Sequence, residues 1–269
     1  MATCAHRENL SMIVVMGATG SDKSYFINCL AGREVVQEGH SLDPCWYTTA
    51  DTGREIIRLT EKARAGPQEC QLVPVHVGRS KVLLLNTPDF GDAQRTDSEI
   101  LTEIAQILSA QYQLGVELKG IIYIHSITDV RYSRSSVTTF EIFKNICGER
   151  ALHNALLVTS RWNEVSESIG AERERALRDR FWAYMLRRGS HLSRFHGDHN
   201  SAVSLVSQLL MKETVVLELQ GELVREGKQL GETAAGMYIN GNIEEKSVQQ
   251  QITRKRSSLT SRLFPFNPR

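Results

Sequence analysis

The sequence predicts an α/β fold: a mostly parallel sheet layered between helices, with one antiparallel hairpin strand and a helical extension towards the C-terminus. Three observations carry this. Short apolar runs of strand length, rich in β-branched residues and leucine, recur at 11–16, 81–86, 120–125 and 154–160. Segments with helical spacing separate most of them. Gly78-Arg79-Ser80 joins two strand segments closely enough for a hairpin.

The elements follow in order. Residues 1–10 read as a polar arm. Ser11–Met16 is a strand that runs into a glycine-rich turn, and Lys23–Leu30 has helical character. Gly39, Pro44 and Gly53 make 33–53 a long loop. Gln71–Val77 and Lys81–Asn86 form the hairpin. Thr96 and Glu99 have the spacing of a capping box. Ile100, Ile104, Ile107 and Leu108 then mark one helical face. Gly120–His125 is a buried strand. Val137, Phe140, Phe143, Ile146 and Cys147 mark a helix that Gly148 stops. Asn154–Ser160 is another strand. A charged helix over 171–188 carries an apolar patch at Phe181, Trp182 and Met185. His191–Phe195 is the last strand, followed by a helix over 201–211. A further amphipathic helix is expected over 212–230, on Val215, Val216, Leu219 and Leu223. The domain reading is an arm over 1–10, an α/β unit over 11–211, and a helical extension with a basic tail over 212–269.

Composition narrows the function classes. The 269 residues are 41% hydrophobic and 23% charged, as in ordinary globular chains, and fit one large or two small domains. No apolar run approaches the ~18 residues of a membrane span, and the first residues lack the pattern of a secretory signal. Five scattered cysteines without a C-x-x-C pair argue against a disulfide framework or a zinc finger. They suit a reducing, cytoplasmic setting. Net charge is +1, yet residues 246–269 hold six Lys/Arg and no acid, leaving the first 245 residues at −5. An acidic body argues against nucleic-acid binding, and a tail with few apolar anchors argues against a membrane role.

The chemistry concentrates at Gly17-Ala18-Thr19-Gly20-Ser21-Asp22-Lys23-Ser24, where a strand meets a helix. The phosphate-binding pattern G-x-x-x-x-G-K-[ST] is matched except that Asp22 replaces the second glycine. In such a loop backbone N–H groups and a helix N-terminus surround phosphates. Lys23 would reach the outer phosphates, Ser24 would bind Mg²⁺, and Tyr25 follows them on the helix. The alternative is a strand–turn–helix with Asp22 as an ordinary N-cap. A carboxylate ~4 Å from a phosphate costs on the order of 4 kcal/mol per unit charge, unless Asp22 turns its side chain away.

With this turn in place, VMGATGSDKSYFIN, LLLNTPDFGD, GIIYIHSITDVR, LLVTSRWNEVS and ELVREGKQLGETAAG fall into line. The chain resembles fungal P-loop GTP-binding proteins of the septin and immunity-associated type, over Ile13 to about Asn240. The resemblance implies a three-layer GTPase-type sheet, GTP or GDP with Mg²⁺, and pairing of two copies through the nucleotide face. It also places departures. Where such proteins carry D-T-P-G, this chain has Asn86-Thr87-Pro88-Asp89. Asn86 stands for the acid that supports Mg²⁺, and Asp89 for the glycine that meets the γ-phosphate. A purely structural turn is the alternative.

At the base-reading motif, N/T-K-x-D, the chain has Ser160-Arg161-Trp162-Asn163. The Arg161 stem can cover a base, while Asn163 offers one acceptor where a carboxylate offers two. Loop packing around Trp162 is the alternative. Thr48 and Thr49 are both available as the switch threonine that would join the metal. Phe90 cannot orient a water, so hydrolysis needs another group or a partner. Phe195-His196-Gly197-Asp198 lies where a fifth nucleotide loop is expected. His191, His196 and His199 match no zinc spacing, and Arg131 and Arg134 read as solvated loop residues. The sequence therefore indicates a GTP-binding switch or assembly subunit with slow or partner-dependent hydrolysis. A degraded G domain serving as a scaffold is the other reading. An ATP-driven enzyme has the phosphate loop in its favour and nothing that reads adenine.

Overall fold

A computed structural model describes residues 10–36, 69–91 and 94–243. The arm over 1–9, most of the expected loop over 33–53 and the basic tail lie outside the described residues. Six strands form one sheet in the order β2-β3-β1-β4-β5-β6. They are β1 (Ser11–Gly17), β2 (Gln71–Val77), β3 (Ser80–Asn86), β4 (Glu117–Ser126), β5 (Ala155–Ser160) and β6 (His191–Arg194). Only the β2–β3 hairpin is antiparallel. The alternation of β1 explains the layers. Ile13 and Val15 face α1 (Lys23–Ala31) and α6 (His199–Leu210). Met12, Val14 and Met16 face the other way, against α2 (Asp97–Gln113) and α3 (Arg134–Cys147). Both sheet faces are covered, as parallel strands require.

Local signals set the helix starts. Thr96 accepts from the Glu99 N–H, and the Glu99 carboxylate accepts in return from the Thr96 N–H at 2.8 Å, completing the capping box. Ser133 caps α3, which Gly148 ends. Asp198 caps α6.

Two expectations are corrected. The charged helix over 171–188 is not continuous. It begins earlier as α4 (Glu167–Ala176), widens into one π-type turn over Leu177–Phe181, and resumes as α5 (Ala183–Arg187). The Trp182 N–H reaches back five residues to the Leu177 carbonyl at 2.8 Å. Trp182 and Met185 are fully buried there, while Phe181 stays partly exposed, stacked on Tyr132 with centroids 4.2 Å apart. The amphipathic helix expected over 212–230 is shortened to Glu218–Arg225, its second part a π-type turn. The Val215 N–H donates to the Leu118 carbonyl of β4 at 2.9 Å, holding the residues around Val215 out of helix. Leu217 and Leu219 are buried. Buried Glu222 pairs with Lys228 at 3.1 Å and accepts from the Ala234 N–H, and residues 234–243 are helical. Leu217, Leu219, Ala235 and Ile239 join the core on the α2–α3 face.

His125 near the end of β4 is buried against Tyr132 and Trp182, with Nε2 3.7 Å from Asp129. Burial pushes its imidazole down to about 4, and the nearby Asp129 carboxylate only partly opposes this. The unfolded chain takes up a proton near pH 6.5 while the folded one stays neutral. Stability therefore falls as pH drops from 6.5 towards 4, by on the order of 3 kcal/mol. Urea titrations across this range should show the loss, and His125→Gln should flatten it.

Candidate nucleotide site

The carboxyl ends of β1, β3, β4 and β5 meet along one edge of the sheet. Val15 lies beside Asn86, Gly17 beside Ile124, and Ser126 beside Ser160. Crevices at this edge are where open α/β sheets take ligands. The turn from β1 into α1 lies across it.

Gly17 has no room for a side chain: a Cβ would sit 2.2 Å from the Ile124 carbonyl oxygen and 2.6 Å from Ser21 Oγ. This lets the turn press against β4. Gly20 and Asp22 both have positive φ, 73° and 67°. Position 22 thus needs the left-handed backbone that the glycine of the motif supplies, and aspartate tolerates it better than most residues. Asp22 is not an ordinary N-cap, since its side chain makes no cap hydrogen bond. Its carboxylate therefore contributes no acceptor to the first turn of α1.

The Asp22 carboxylate pairs instead with Arg161. The guanidinium donates from Nε at 3.0 Å and from Nη2 at 2.8 Å. Arg161 also has positive φ, 62°. Beside it Ser160 Oγ donates to the Ser21 carbonyl at 3.0 Å. The loop after β5 is therefore fastened to the loop after β1 by a fork and a single bond.

Lys23 is 8% exposed. Its ammonium donates to the Gly17 and Ala18 carbonyls, both at 3.3 Å, and to the Asp89 carboxylate. Thr19 and Gly20 are exposed at the tip, and Ser24 is half-buried in the first turn of α1. The Tyr25 hydroxyl donates to the Gly197 carbonyl at 2.8 Å, tying α1 to the 195–198 loop. Phe195 is buried against Phe26, with centroids 5.2 Å apart. His199 Nδ1 lies 2.8 Å from the Cys29 carbonyl. No grouping of three or more metal-binding side chains occurs among the described residues.

The structure thus joins Lys23 with Asp89, Asp22 with Arg161, and Ser21 with Ser160. Asn163 is exposed beyond them. Trp162 between Arg161 and Asn163 is a packing residue. Its Nε1 donates to Thr159 Oγ1 at 3.0 Å, Gly170 lies against its ring, and the Arg194 guanidinium covers it at 3.8 Å. Phe90 is buried at 3% exposure, so its ring plays no part at the surface. The two ion pairs are what motif reading misses. The available signal is that each acid standing for a glycine has a cation in another motif.

The residues fit Mg²⁺ in donor chemistry. Asn86 Oδ1 is buried with no hydrogen-bond partner among the described residues, and Ser24 offers a hydroxyl. Both are oxygen donors of the kind Mg²⁺ takes. Both are neutral, so phosphate oxygens would have to supply the negative charge. Thr48 lies outside the described residues.

No family model and no curated protein matches the chain. Solved structures do. Toc33 from Arabidopsis thaliana in complex with Mg²⁺ and GMPPNP superposes with a TM-score of 0.52 at 14% identity, covering 77% of this chain and 87% of that one. Its complex with GDP and Mg²⁺ has a TM-score of 0.51 at 15% identity, with the same coverage. A structure of the chloroplast translocon components atToc33 and psToc159, reported for the importance of dimerization to their GTPase activity, has a TM-score of 0.53 at 14% identity and covers 77% and 86%. The finer likeness to septin and immunity-associated proteins finds no support among these neighbours. A six-stranded, mostly parallel sheet with one antiparallel pair, helices on both faces and helical turns after the last strand is the fold of the P-loop GTPases.

Proposed function

We propose that this chain binds a guanine nucleotide with Mg²⁺ at residues 17–25 and serves as a nucleotide-gated switch or assembly subunit. The observation that carries this is a buried lysine ammonium in the first turn of α1, held at the Gly17 and Ala18 carbonyls of a glycine-rich turn, with the Asp22 side chain turned from the helix end to Arg161. Positive charge and N–H donors converge there, as phosphate binding requires. Lys23 and the backbone of Gly17–Ser24 would hold the phosphates. Ser24 and Asn86 would hold Mg²⁺, with Thr48 as the remaining candidate. The ion would neutralise phosphate charge when bound. Ser160, Arg161 and Asn163 would face the base.

Hydrolysis, if retained, is slow or partner-dependent, because buried Phe90 cannot orient a water. The dimerization of Toc33 supports pairing of two copies of this chain through the nucleotide face. Residues 11–211 would form the nucleotide-binding unit and 212–269 an extension, of which Leu217, Leu219, Ala235 and Ile239 pack on the core. No helix among the described residues is long and apolar enough to cross a membrane. Cys70 and Cys147 are buried free thiols, which suits a cytoplasmic setting.

The scaffold reading keeps one observation of its own. The Asp22–Arg161 fork fastens the loop without any ligand. Its groups are partly exposed, so its worth is modest.

Three outcomes are expected. GTP with Mg²⁺ at ~100 times its dissociation constant should add about 2.7 kcal/mol to the wild-type chain and nothing to Lys23→Ala, read by thermal melting. An unmoved wild-type melting temperature would leave only the scaffold reading. A double-mutant cycle on Asp22→Ala and Arg161→Ala without nucleotide should give a coupling of about 1 kcal/mol in urea denaturation. Finally, Asn163 accepts one guanine N–H and opposes the other with its own NH₂, a mismatch of roughly 1–3 kcal/mol. In competition titrations, wild type should prefer XTP to GTP, and Asn163→Asp should restore the guanine preference.

A further inference from the structure

The turn after β3 is anchored on both sides of Asp89. Thr87 donates to the Val15 carbonyl from its N–H at 3.2 Å and from its hydroxyl at 3.1 Å. Phe90 is buried, and the Gly91 N–H donates to Asp97 Oδ1 at 2.7 Å. Pro88 fixes its own φ between these anchors. The Asp89 carboxylate is thus delivered to the Lys23 ammonium by a rigid turn, not by a loose surface arm. Its side chain is 25% exposed, against 8% for Lys23.

An ammonium has three N–H donors. Those of Lys23 meet three acceptors: the carbonyls of Gly17 and Ala18, each at 3.3 Å, and the Asp89 carboxylate. The two carbonyl contacts are long and neutral, and an incoming anion displaces them readily. The carboxylate contact is charge-assisted and does not yield in the same way.

We infer that Asp89 makes the site selective for a nucleoside diphosphate over a triphosphate, its carboxylate standing at Lys23 where a terminal phosphate would otherwise bind. This rests on the nucleotide site proposed above. A diphosphate takes the ammonium donors now given to carbonyls and leaves the Lys23–Asp89 pair intact. A triphosphate has to break that pair and then lies beside the freed carboxylate, like charge against like. The chain so carries its own terminal anion, and the diphosphate-bound form is the resting form of the site.

The test is a set of dissociation constants for GDP and GTP, each with Mg²⁺, on the full chain as wild type, Asp89→Asn and Asp89→Gly. Asn keeps the volume and removes the charge, and Gly removes the side chain. Melting curves identify which variants fold. Wild type should bind GDP about tenfold or more tighter than GTP. In the folded variants GTP should gain about tenfold while GDP changes by less than about threefold. A GDP-to-GTP ratio unchanged in the folded variants, or a wild-type preference for GTP, overturns the inference and leaves the nucleotide site standing. Failure of both nucleotides to bind any of the three proteins overturns the site and the inference together.

Discussion

The buried ammonium of Lys23 is the constraint around which this edge of the sheet is arranged. A cation withdrawn from water is costly unless acceptors surround it. Two carbonyls of its own turn and one carboxylate from another strand end supply them. That need brings the turn after β3 against the turn after β1, and so sets how the two meet. Asp22, at positive φ, gives a second carboxylate to Arg161. The turn from β1 into α1 thus carries two matched pairs of charges.

Most of the fold was legible because its signals are local. β1 reads as a strand from five consecutive buried apolar residues, Met12–Met16. The hairpin follows from its glycine turn, and α2 from Thr96 and Glu99 three residues apart. What was not legible depends on distant partners. Nothing near Val215 announces that its N–H will donate to Leu118, almost a hundred residues earlier. Its apolar spacing suits a helix equally well, and a tertiary hydrogen bond decides the matter. The π-type turn before Trp182 is of the same kind. It seats one large ring in a core formed by other elements, and helical periodicity cannot express that.

The candidate site was legible as a turn between β1 and α1 and only partly as an arrangement. Lys23-Ser24 after an apolar run marks the start of α1 at once. Taken singly, Asp22 and Asp89 read as acids intruding on a phosphate cradle. In space each has a cation: Arg161 for one, Lys23 for the other. Sequence spacing carries no distance between residues 22 and 161 or between 23 and 89, so the pairing had to come from the sheet. Trp162 resolves the other way, its ring covered by Arg194 and Gly170.

The place of the segment after residue 211 bears on how the protein is made. Its side chains at Leu217, Leu219, Ala235 and Ile239 complete the same apolar layer that begins at Met12 on the first strand. A ribosome releases Met12 more than two hundred residues before Ile239, at roughly 5–20 residues per second. Over the 54 residues from Met185 to Ile239, roughly 3–11 seconds at that pace, the α2–α3 side of the sheet is finished except for its last covering. The opposite side closes sooner, with α6. The nascent chain is therefore asymmetric, with one layer sealed early and one open until the end of the described residues emerges. A chaperone that binds apolar surface during translation would meet it on that second side.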